Sequence, residues 1–202
     1  MGYTSQYPPA HSDTYVKSTT TLTTYYPYIA TNPLTPLTGA QANNWLSSTL
    51  LQRFHIDLGS GKVIKRIYYE NFHNSGGDTH RGANNFTLWG SNDAGDFTDL
   101  VYGNDGSWTE LTVAQNNFDI HISADQADPK YILVTNSTAY RYYAFKIADV
   151  HPGGSSLIGL RRIELQISDA PPPPAEDLIV MALGKGARGR RYIVKDGLVI
   201  SV

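Results

Sequence analysis

The residues best suited to chemistry lie in one glycine-rich stretch, residues 72–84. It holds three Gly and five polar side chains that can donate, accept or ligate: His73, Asn74, Asp78, His80 and Arg81. Arg offers a rigid fork of donors, while Asp and Asn supply acceptors, so such a loop can bind the adjacent hydroxyls of a sugar. The two His with Asp78 could instead hold zinc, although their irregular spacing weakens that signal. A third alternative is a solvated loop without a ligand.

A second polar stretch, residues 136–143, joins two predicted strands and should reach the rim of the fold. Tyr140 and Tyr142 offer rings that can stack on the C–H face of a sugar, and Arg141 offers another fork of donors. Tyrosines at a spacing of two beside a strand also occur simply as packed or half-exposed residues. This stretch is therefore a candidate carbohydrate-binding surface with a plain structural alternative.

Signals for catalysis are weak. The sequence has no Gly-x-Ser-x-Gly, no His-Glu-x-x-His and no P-loop. A glycosidase needs two carboxylates about 5–10 Å apart, yet the chain holds only four Glu, and its Asp residues sit mostly in turns. His55 and His121 alternate with apolar residues, which favours surface or core positions in strands. We predict a protein without enzymatic activity.

Composition and charge narrow the class further. The 202 residues suit one domain with an appendage, and 18 Gly with 11 Pro are typical of a turn-rich all-β protein. A net charge of −2 favours neither nucleic acid nor an anionic membrane. Cysteine is absent, which excludes disulfides and thiolate metal sites. Residues 1–9 lack the regions of a secretory signal, and no apolar run is long enough to span a bilayer. We therefore expect neither N-terminal export nor membrane insertion.

The elements that would position the candidate residues are β-strands. Alternation of apolar and polar residues predicts eight of them: Leu51–Asp57, Val63–Asn71, Asn85–Trp89, Thr109–Val113, Phe118–Ile122, Lys130–Asn136, Ala144–Val150 and Leu160–Ser168. Gly- and Asp-rich turns separate the strands, and no long amphipathic helix is predicted. Eight such strands match a jelly-roll β-sandwich, so the predicted fold class is all-β.

Three segments of this domain together resemble a known family. They are Arg53-Phe54-His55-Ile56-Asp57-Leu58-Gly59, Asn85-Phe86-Thr87-Leu88-Trp89-Gly90-Ser91-Asn92-Asp93 and Gly159-Leu160-Arg161-Arg162-Ile163-Glu164-Leu165-Gln166-Ile167. In this order they resemble the discoidin (coagulation factor 5/8 type C) domains and the family-32 carbohydrate-binding modules. The resemblance implies a galactose-binding-like jelly roll whose loops bind sugars without catalysis. It matches Arg81, with His73 or His80, to sugar-contacting residues, and Trp45 to a core position.

The resemblance also raises the question of calcium. Many family members hold the ion with backbone carbonyls of an early segment, an Asp from an Asp-Gly-Asn run and a Glu on the last strand. Glu164 matches that Glu, but residues 35–43 carry no carboxylate. Calcium prefers six to eight oxygen ligands. A calcium site at Glu164 is thus one alternative, and a hydrogen-bonded structural Glu164 is the other.

Both ends of the chain extend beyond the predicted sandwich, which covers residues 43–168. Residues 1–42 are rich in Thr, Tyr and Pro and predict an extended N-terminal arm, either draped over the sandwich or contacting another copy. Residues 169–175 predict a stiff proline-rich linker. Residues 176–202 predict a C-terminal β-hairpin tail around Asp196-Gly197.

The tail differs in charge from the rest of the chain. From residue 175 onward, five Lys/Arg and three Asp/Glu give a net charge of +2, which leaves −4 for residues 1–174. Four basic residues are predicted to face an acidic partner: Lys185, Arg188, Arg190 and Arg191. A hairpin of this size is marginal alone, so its apolar strands need a partner surface.

These features together favour a carbohydrate-recognising module of a bacteriophage virion, acting in host attachment as part of the tail, a fibre or a head decoration. Its expected partners are a cell-surface glycan and, through residues 1–42 and 176–202, other virion proteins or copies of itself. Such a protein is made in the host cytoplasm and carried in the virion. Two alternatives stay open: a purely structural virion protein, and a bacterial lectin-like adhesion module that is extracellular or at the cell surface.

Overall fold

Ten short strands build a sandwich of two antiparallel sheets in the computed structural model, which describes residues 2–154 and 156–169 and the backbone of two further strands. The ten strands are β1 (Tyr3–Gln6), β2 (Val16–Ser18), β3 (Trp45–Ser47), β4 (Gln52–Lys62), β5 (Arg66–Asn71), β6 (Phe86–Ser91), β7 (Thr109–Val113), β8 (Lys130–Thr135), β9 (Tyr140–Ile147) and β10 (Ile158–Ser168). The first sheet has the order β1-β10-β5-β8, with β3 also paired to β10, and the second has the order β7-β6-β9-β4-β2. A short ladder between β7 and β8 connects the two sheets.

The core lies between the two sheets because the strands alternate in side-chain direction. In β9, Tyr143, Phe145 and Ile147 are fully buried, and Phe54 of β4 and Ile67 of β5 pack into the same cluster. Burying each large apolar side chain stabilises the fold by about 1.5–3 kcal/mol. Rigid strands of this kind hold the connecting loops in fixed positions at the two ends of the sandwich.

Helices are short and lie between the strands. They are α1 (Pro27–Thr31), α2 (Ala94–Thr98) and two single-turn 3₁₀ helices over Gln41–Asn43 and Thr79–Arg81. Among the described residues, no helix has the length and apolar composition needed to cross a membrane.

Seven of the eight predicted strands are present, with bounds shifted by a few residues. The exception is Phe118–Ile122, which is irregular. Its buried side chains are Phe118 and His121, three residues apart, whereas a strand would bury every second residue. Phe118 stacks on Phe86 with ring centroids 4.2 Å apart, and His121 stacks on His73 at 4.1 Å. These two inward contacts replace strand pairing in this segment.

From Tyr3 onward, the predicted N-terminal arm is part of the sandwich unit, Tyr3–Ser168. β1 pairs with β10 and β2 pairs with β4, so each covers the edge of a sheet. Val16 is fully buried in the core. The described residues of this segment therefore lie along the sandwich, and contact of the segment with another copy stays a prediction.

Residues 92–108 fold over the outer face of the second sheet. Phe97 of α2 and Trp108 form a small second core with Tyr142 and Ala144 of β9. The fully buried guanidinium of Arg53 holds this segment by donating to the carbonyls of Val101, Tyr102 and Asn104 and to the Asp105 carboxylate.

The second compact unit contains the two remaining strands, β11 (Tyr192–Lys195) and β12 (Leu198–Ser201). They pair antiparallel, with Lys195 opposite Leu198, as expected for a hairpin around Asp196-Gly197. The proline run, the predicted strand at 178–183 and the basic residues Lys185, Arg188, Arg190 and Arg191 lie outside the described residues.

Candidate functional site

The candidate loop, residues 72–84, leaves the end of β5 and returns to β6, which places it at one end of the sandwich. Asn71 anchors its base by donating to the carbonyls of Ala83 and Asp119. Gly82 pairs with Gly159 of β10, and Ala83 pairs with Val150. Because both ends of the loop are fixed to strands, its polar residues are held in defined positions.

His73 is fully buried and acts as a structural residue within this loop. Its Nε2 donates to the Leu37 carbonyl at 2.9 Å, and its Nδ1 accepts from the Gly76 N–H at 3.0 Å. Burial lowers the pKa of His73, which favours the neutral ring that these two bonds require. With both ring nitrogens engaged, His73 has no atom free for a sugar or for zinc.

Three other loop residues form a connected polar cluster with Gln41, and we call Gln41, Asn74, Asp78 and Arg81 the rim cluster. Arg81 Nη1 lies 3.1 Å from Asp78 Oδ2 and donates to Gln41 Oε1 at 3.4 Å. Asn74 donates to Asp78 at 3.2 Å and accepts from the Gln41 backbone N–H at 3.1 Å. The Arg81 side chain is 29% exposed and that of Asp78 39% exposed, so the cluster is ordered yet open to solvent.

Local backbone geometry explains how the rim cluster forms. Asp78 has a left-handed backbone with φ of 57°, and Ser75 with φ of 48° also lies in this region. Asp and Asn tolerate that conformation better than most residues. Asp78 then precedes the 3₁₀ turn Thr79–Arg81, and an Arg three residues after the Asp returns to its carboxylate.

His80 is exposed beside the rim cluster and lies near the turn at Gly153. His151, in that turn, accepts at its Nε2 from Asn71 Nδ2 at 3.3 Å. Burial lowers the pKa of His151, with the charge of His80 acting in the same direction. This side of the rim thus combines the imidazoles of His80 and His151 with the guanidinium of Arg81.

The second predicted surface lies at the other end of the sandwich. Phe86 of β6 pairs with Ile147 of β9, whereas Ser91 pairs with Tyr142. Those five residues separate the two ends by roughly 16 Å at about 3.3 Å per residue. Tyr140, Arg141 and Tyr142 therefore do not meet the rim cluster.

Each of these three residues has a packing role where it stands. Tyr142 is buried against Phe97, with ring centroids 5.1 Å apart. Tyr140 packs over Gly90, and Arg141 forms a two-pronged ion pair with Asp57 at 2.8 Å for both bonds. Tyr142 has no exposed ring, and the guanidinium of Arg141 is partly occupied by Asp57. The structural alternative, in which these residues are simply packed, therefore describes residues 140–142 better.

Two guanidinium groups occupy the position where the resemblance would place calcium. Arg161 donates to the carbonyls of Pro36, Thr38 and Gly39 at 3.0–3.3 Å and to that of His73 at 2.6 Å. Arg162 donates to the Thr35 carbonyl. Burial lowers the pKa of Arg161 to about 10, so the group stays protonated at neutral pH. The carbonyls that could ligate an ion are already bound to a cation.

Glu164 is likewise engaged. Its Oε1 lies 3.1 Å from Arg162 Nη1, and its Oε2 accepts from Ser5 Oγ at 2.6 Å. Within the described ranges, no three His, Asp or Glu side chains converge as metal ligands would. These residues do not fit a calcium ion, and Glu164 has the hydrogen-bonded structural role.

Sequence reasoning missed two residues of this region. Gln41 is one, because nothing in the sequence shows that its segment returns to the 72–84 loop. Arg161 is the other, and a signal for it was present: successive side chains of a strand point to opposite faces, so two successive Arg place one on each face. The strand shifts register between Leu160 and Arg162, and both arginines are buried.

Comparison with known proteins gives a clear result only at the level of structure. No protein-family profile matches the sequence, and no curated protein matches it. The solved structure "CBM32 of AlyQ in complex with 4,5-unsaturated mannuronic acid" aligns over 80% of this chain and 97% of that chain, with a TM-score of 0.52 and 14% identity. The family 32 carbohydrate-binding module from Streptococcus pneumoniae EndoD aligns over 80% and 98%, with a TM-score of 0.52 and 15% identity.

A third structure places the same fold beside a second domain. "Truncated AlyQ with CBM32 and alginate lyase domains" aligns over 90% of this chain but only 38% of that chain, with a TM-score of 0.55 and 13% identity. These likenesses establish the fold. The chain has the jelly-roll β-sandwich fold of the family-32 carbohydrate-binding modules, and its structural neighbours are such modules, as the sequence motifs predicted.

Proposed function

We propose that this protein is a non-catalytic carbohydrate-binding module whose ligand lies on the rim cluster and the adjoining His80. The observation that supports this most is the combination of the fold with an ordered, half-exposed Arg81 at a loop end of the sandwich. The module of AlyQ, which shares the fold, was solved with an unsaturated mannuronic acid. Loops at the ends of a rigid sandwich are a common position for ligand-binding residues.

The rim cluster has the donors and acceptors that a sugar requires. In the described part of the chain, Asp78 and Gln41 use only Nη1 of Arg81, which leaves Nη2 and Nε to donate to two neighbouring hydroxyls. Asp78 and Asn74 can accept from the same hydroxyls. The ion pair with Asp78 fixes the guanidinium in advance, which reduces the conformational entropy lost on binding.

The setting forms a second part of the proposal. We place the module in a bacteriophage virion, where it recognises a glycan of the host surface. The sequence of residues 171–202 supports this, since a four-proline run followed by a basic, apolar segment suits attachment to a larger assembly. The purely structural alternative draws support from Tyr140 and Tyr142, whose rings lie at the end of β9 away from the rim cluster.

A glycan-array screen of the full chain beside an Arg81→Ala variant tests the proposal. We expect binding by the wild-type chain and a loss of about 10-fold or more in the variant, because charge-assisted hydrogen bonds are removed. Arg141→Gln is the matched control, since it removes an Asp-paired Arg at the opposite end of β9 and should bind normally. If a folded wild-type chain binds no glycan on the array, the structural alternative is favoured. Equal loss in both variants would contradict the rim site.

A further inference from the structure

The outer face of the first sheet carries a group of aromatic and aliphatic side chains that the rim cluster does not use. Alternation along β5 and β8 turns Arg66, Tyr68, Tyr131 and Leu133 away from the core, and Tyr3 of β1 joins them from the sheet edge. We call these five residues the aromatic face. Tyr131 is 53% exposed and Leu133 54% exposed, which is unusual for large apolar residues on adjacent positions of one face.

Arg66 lies at the centre of the aromatic face. Its guanidinium carbon is 3.8 Å from the ring centroid of Tyr3 and 4.3 Å from that of Tyr131. Tyr131 in turn contacts the ring of Tyr68, with centroids 5.5 Å apart. Cation–π contact with two rings holds the guanidinium in place.

Arg66 differs in its charge balance from four of the other arginines. Arg53, Arg81, Arg141 and Arg162 each have a carboxylate partner. The only hydrogen bond of Arg66 within the described residues runs from Nε to the neutral amide oxygen of Gln166 at 2.6 Å. Its two terminal nitrogens are therefore a fixed donor pair without an anion in the described part of the chain.

Neighbouring side chains hold this arrangement rigidly. Gln166 Nε2 donates to Ser5 Oγ at 3.0 Å, and Ser5 donates to Glu164, whose charge is balanced by Arg162. Tyr68 donates its hydroxyl to Glu70 at 2.7 Å. Within the described residues, neither of these carboxylates forms an ion pair with Arg66, whose positive charge has no carboxylate partner there on a preorganised surface.

We propose that the aromatic face is a second glycan-binding site, specific for a carboxylated sugar such as a hexuronic acid unit of an extended glycan. The terminal nitrogens of Arg66 would bind the sugar carboxylate with two parallel hydrogen bonds, the geometry in which Arg and carboxylate pair best. Tyr131 and Leu133 would pack against the C–H face of the same or the next sugar ring. This site is independent of the rim cluster and does not require it to bind sugar.

Titration calorimetry of the full chain with hexamers of galacturonate, mannuronate and glucuronate tests this site. We expect at least one hexamer to bind, and Arg66→Gln and Tyr131→Ala each to weaken it about 10-fold or more. The fully methyl-esterified galacturonate hexamer and a glutamate hexapeptide serve as ligands that lack the free carboxylate or the sugar ring. Both should bind at least about 10-fold more weakly than the best uronate.

Matched variants separate this site from general charge effects and from the rim. Lys17→Gln removes one positive charge from the second sheet, and Leu34→Ala removes a side chain that is 87% exposed elsewhere. Both should bind as the wild type does. Arg81→Ala serves as the background in which the rim cluster is lost, and in it Arg66→Gln should still weaken binding about 10-fold or more. The proposal is overturned if no uronate binds, if ester or peptide binds equally well, or if Arg81→Ala alone abolishes binding. Thermal unfolding of each variant shows that it is folded.

Discussion

Arg161 shows how one side chain can fill the position where the family resemblance would place an ion. Its guanidinium meets four backbone carbonyls from two separate segments, residues 36–39 and His73, and so connects the early segment to the candidate loop. A positive charge surrounded by carbonyl oxygens satisfies the same electrostatic need as a bound cation. Because the charge is covalently attached, it does not depend on ion concentration.

Calcium should therefore have no effect on the stability of this protein. A ligand at 100 times its Kd would stabilise the folded state by about 2.7 kcal/mol, and we expect no such shift in thermal unfolding between millimolar calcium and excess chelator. Arg161→Ala should lower the free energy of unfolding by about 3 kcal/mol or more, since four carbonyls lose their donor. Arg81→Ala, at an exposed ion pair, should cost less than about 1 kcal/mol. Stabilisation of the wild-type chain by calcium would contradict this account.

At the scale of elements, residues 92–108 form the segment over the second sheet. This segment packs on a histidine, His55, that must stay neutral. His55 of β4 lies beneath it, 5.0 Å from Trp108 between ring centroids, and its Nδ1 donates to the Phe97 carbonyl at 3.0 Å. Its Nε2 is buried without a partner among the described residues. Burial lowers the pKa of His55 from 6.5 to about 4.

This shift predicts acid sensitivity that begins above the pH range in which carboxylates titrate. Above pH 6.5 both states hold neutral His55, so its contribution is complete; between pH 6.5 and pH 4 only the unfolded chain binds the proton, and stability falls. The contribution of His55 to this loss should be about 2 kcal/mol between pH 8 and pH 5, and His73 and His151 add to it in the same direction because burial lowers their pKa values too. Urea unfolding at the two pH values measures the total. His55→Gln keeps a donor for Phe97 and should reduce the difference by about 2 kcal/mol, while an unchanged difference in that variant would assign it elsewhere.

The elements also show what the sequence could and could not predict. Alternation located β4, β5, β7 and β10 because apolar side chains recur at every second position along most of each strand. It failed at 118–122, where a stacking contact between His121 and His73 decides the conformation, and such a long-range contact leaves no local pattern. The same limit applies to the site. Asp78 and Arg81 are close in sequence, but Gln41 reaches them only through the folded chain.

At the scale of the whole molecule, the N-terminal residues complete both sheets. β1 covers β10 between Leu165 and Ser168, and β2 covers β4 between Phe54 and Ile56. An uncovered strand presents free backbone groups that can pair with another chain. The Thr- and Tyr-rich composition that predicted an arm thus reflects the strand preference of residues whose partners are the edges of their own sandwich.

Removal of residues 1–18 should consequently destabilise the sandwich and make it self-associate. The deletion takes Val16 from the core and exposes the edges of β10 and β4, so we expect a lower urea midpoint together with oligomers in light scattering. Val16→Ala separates the two effects, because it costs about 2 kcal/mol of core packing but leaves both edges covered. That variant should be less stable yet remain in the association state of the wild-type chain. A truncated chain with wild-type stability and association state would instead mean that these residues act as an arm independent of the sandwich, and their partner would then have to be sought in another molecule.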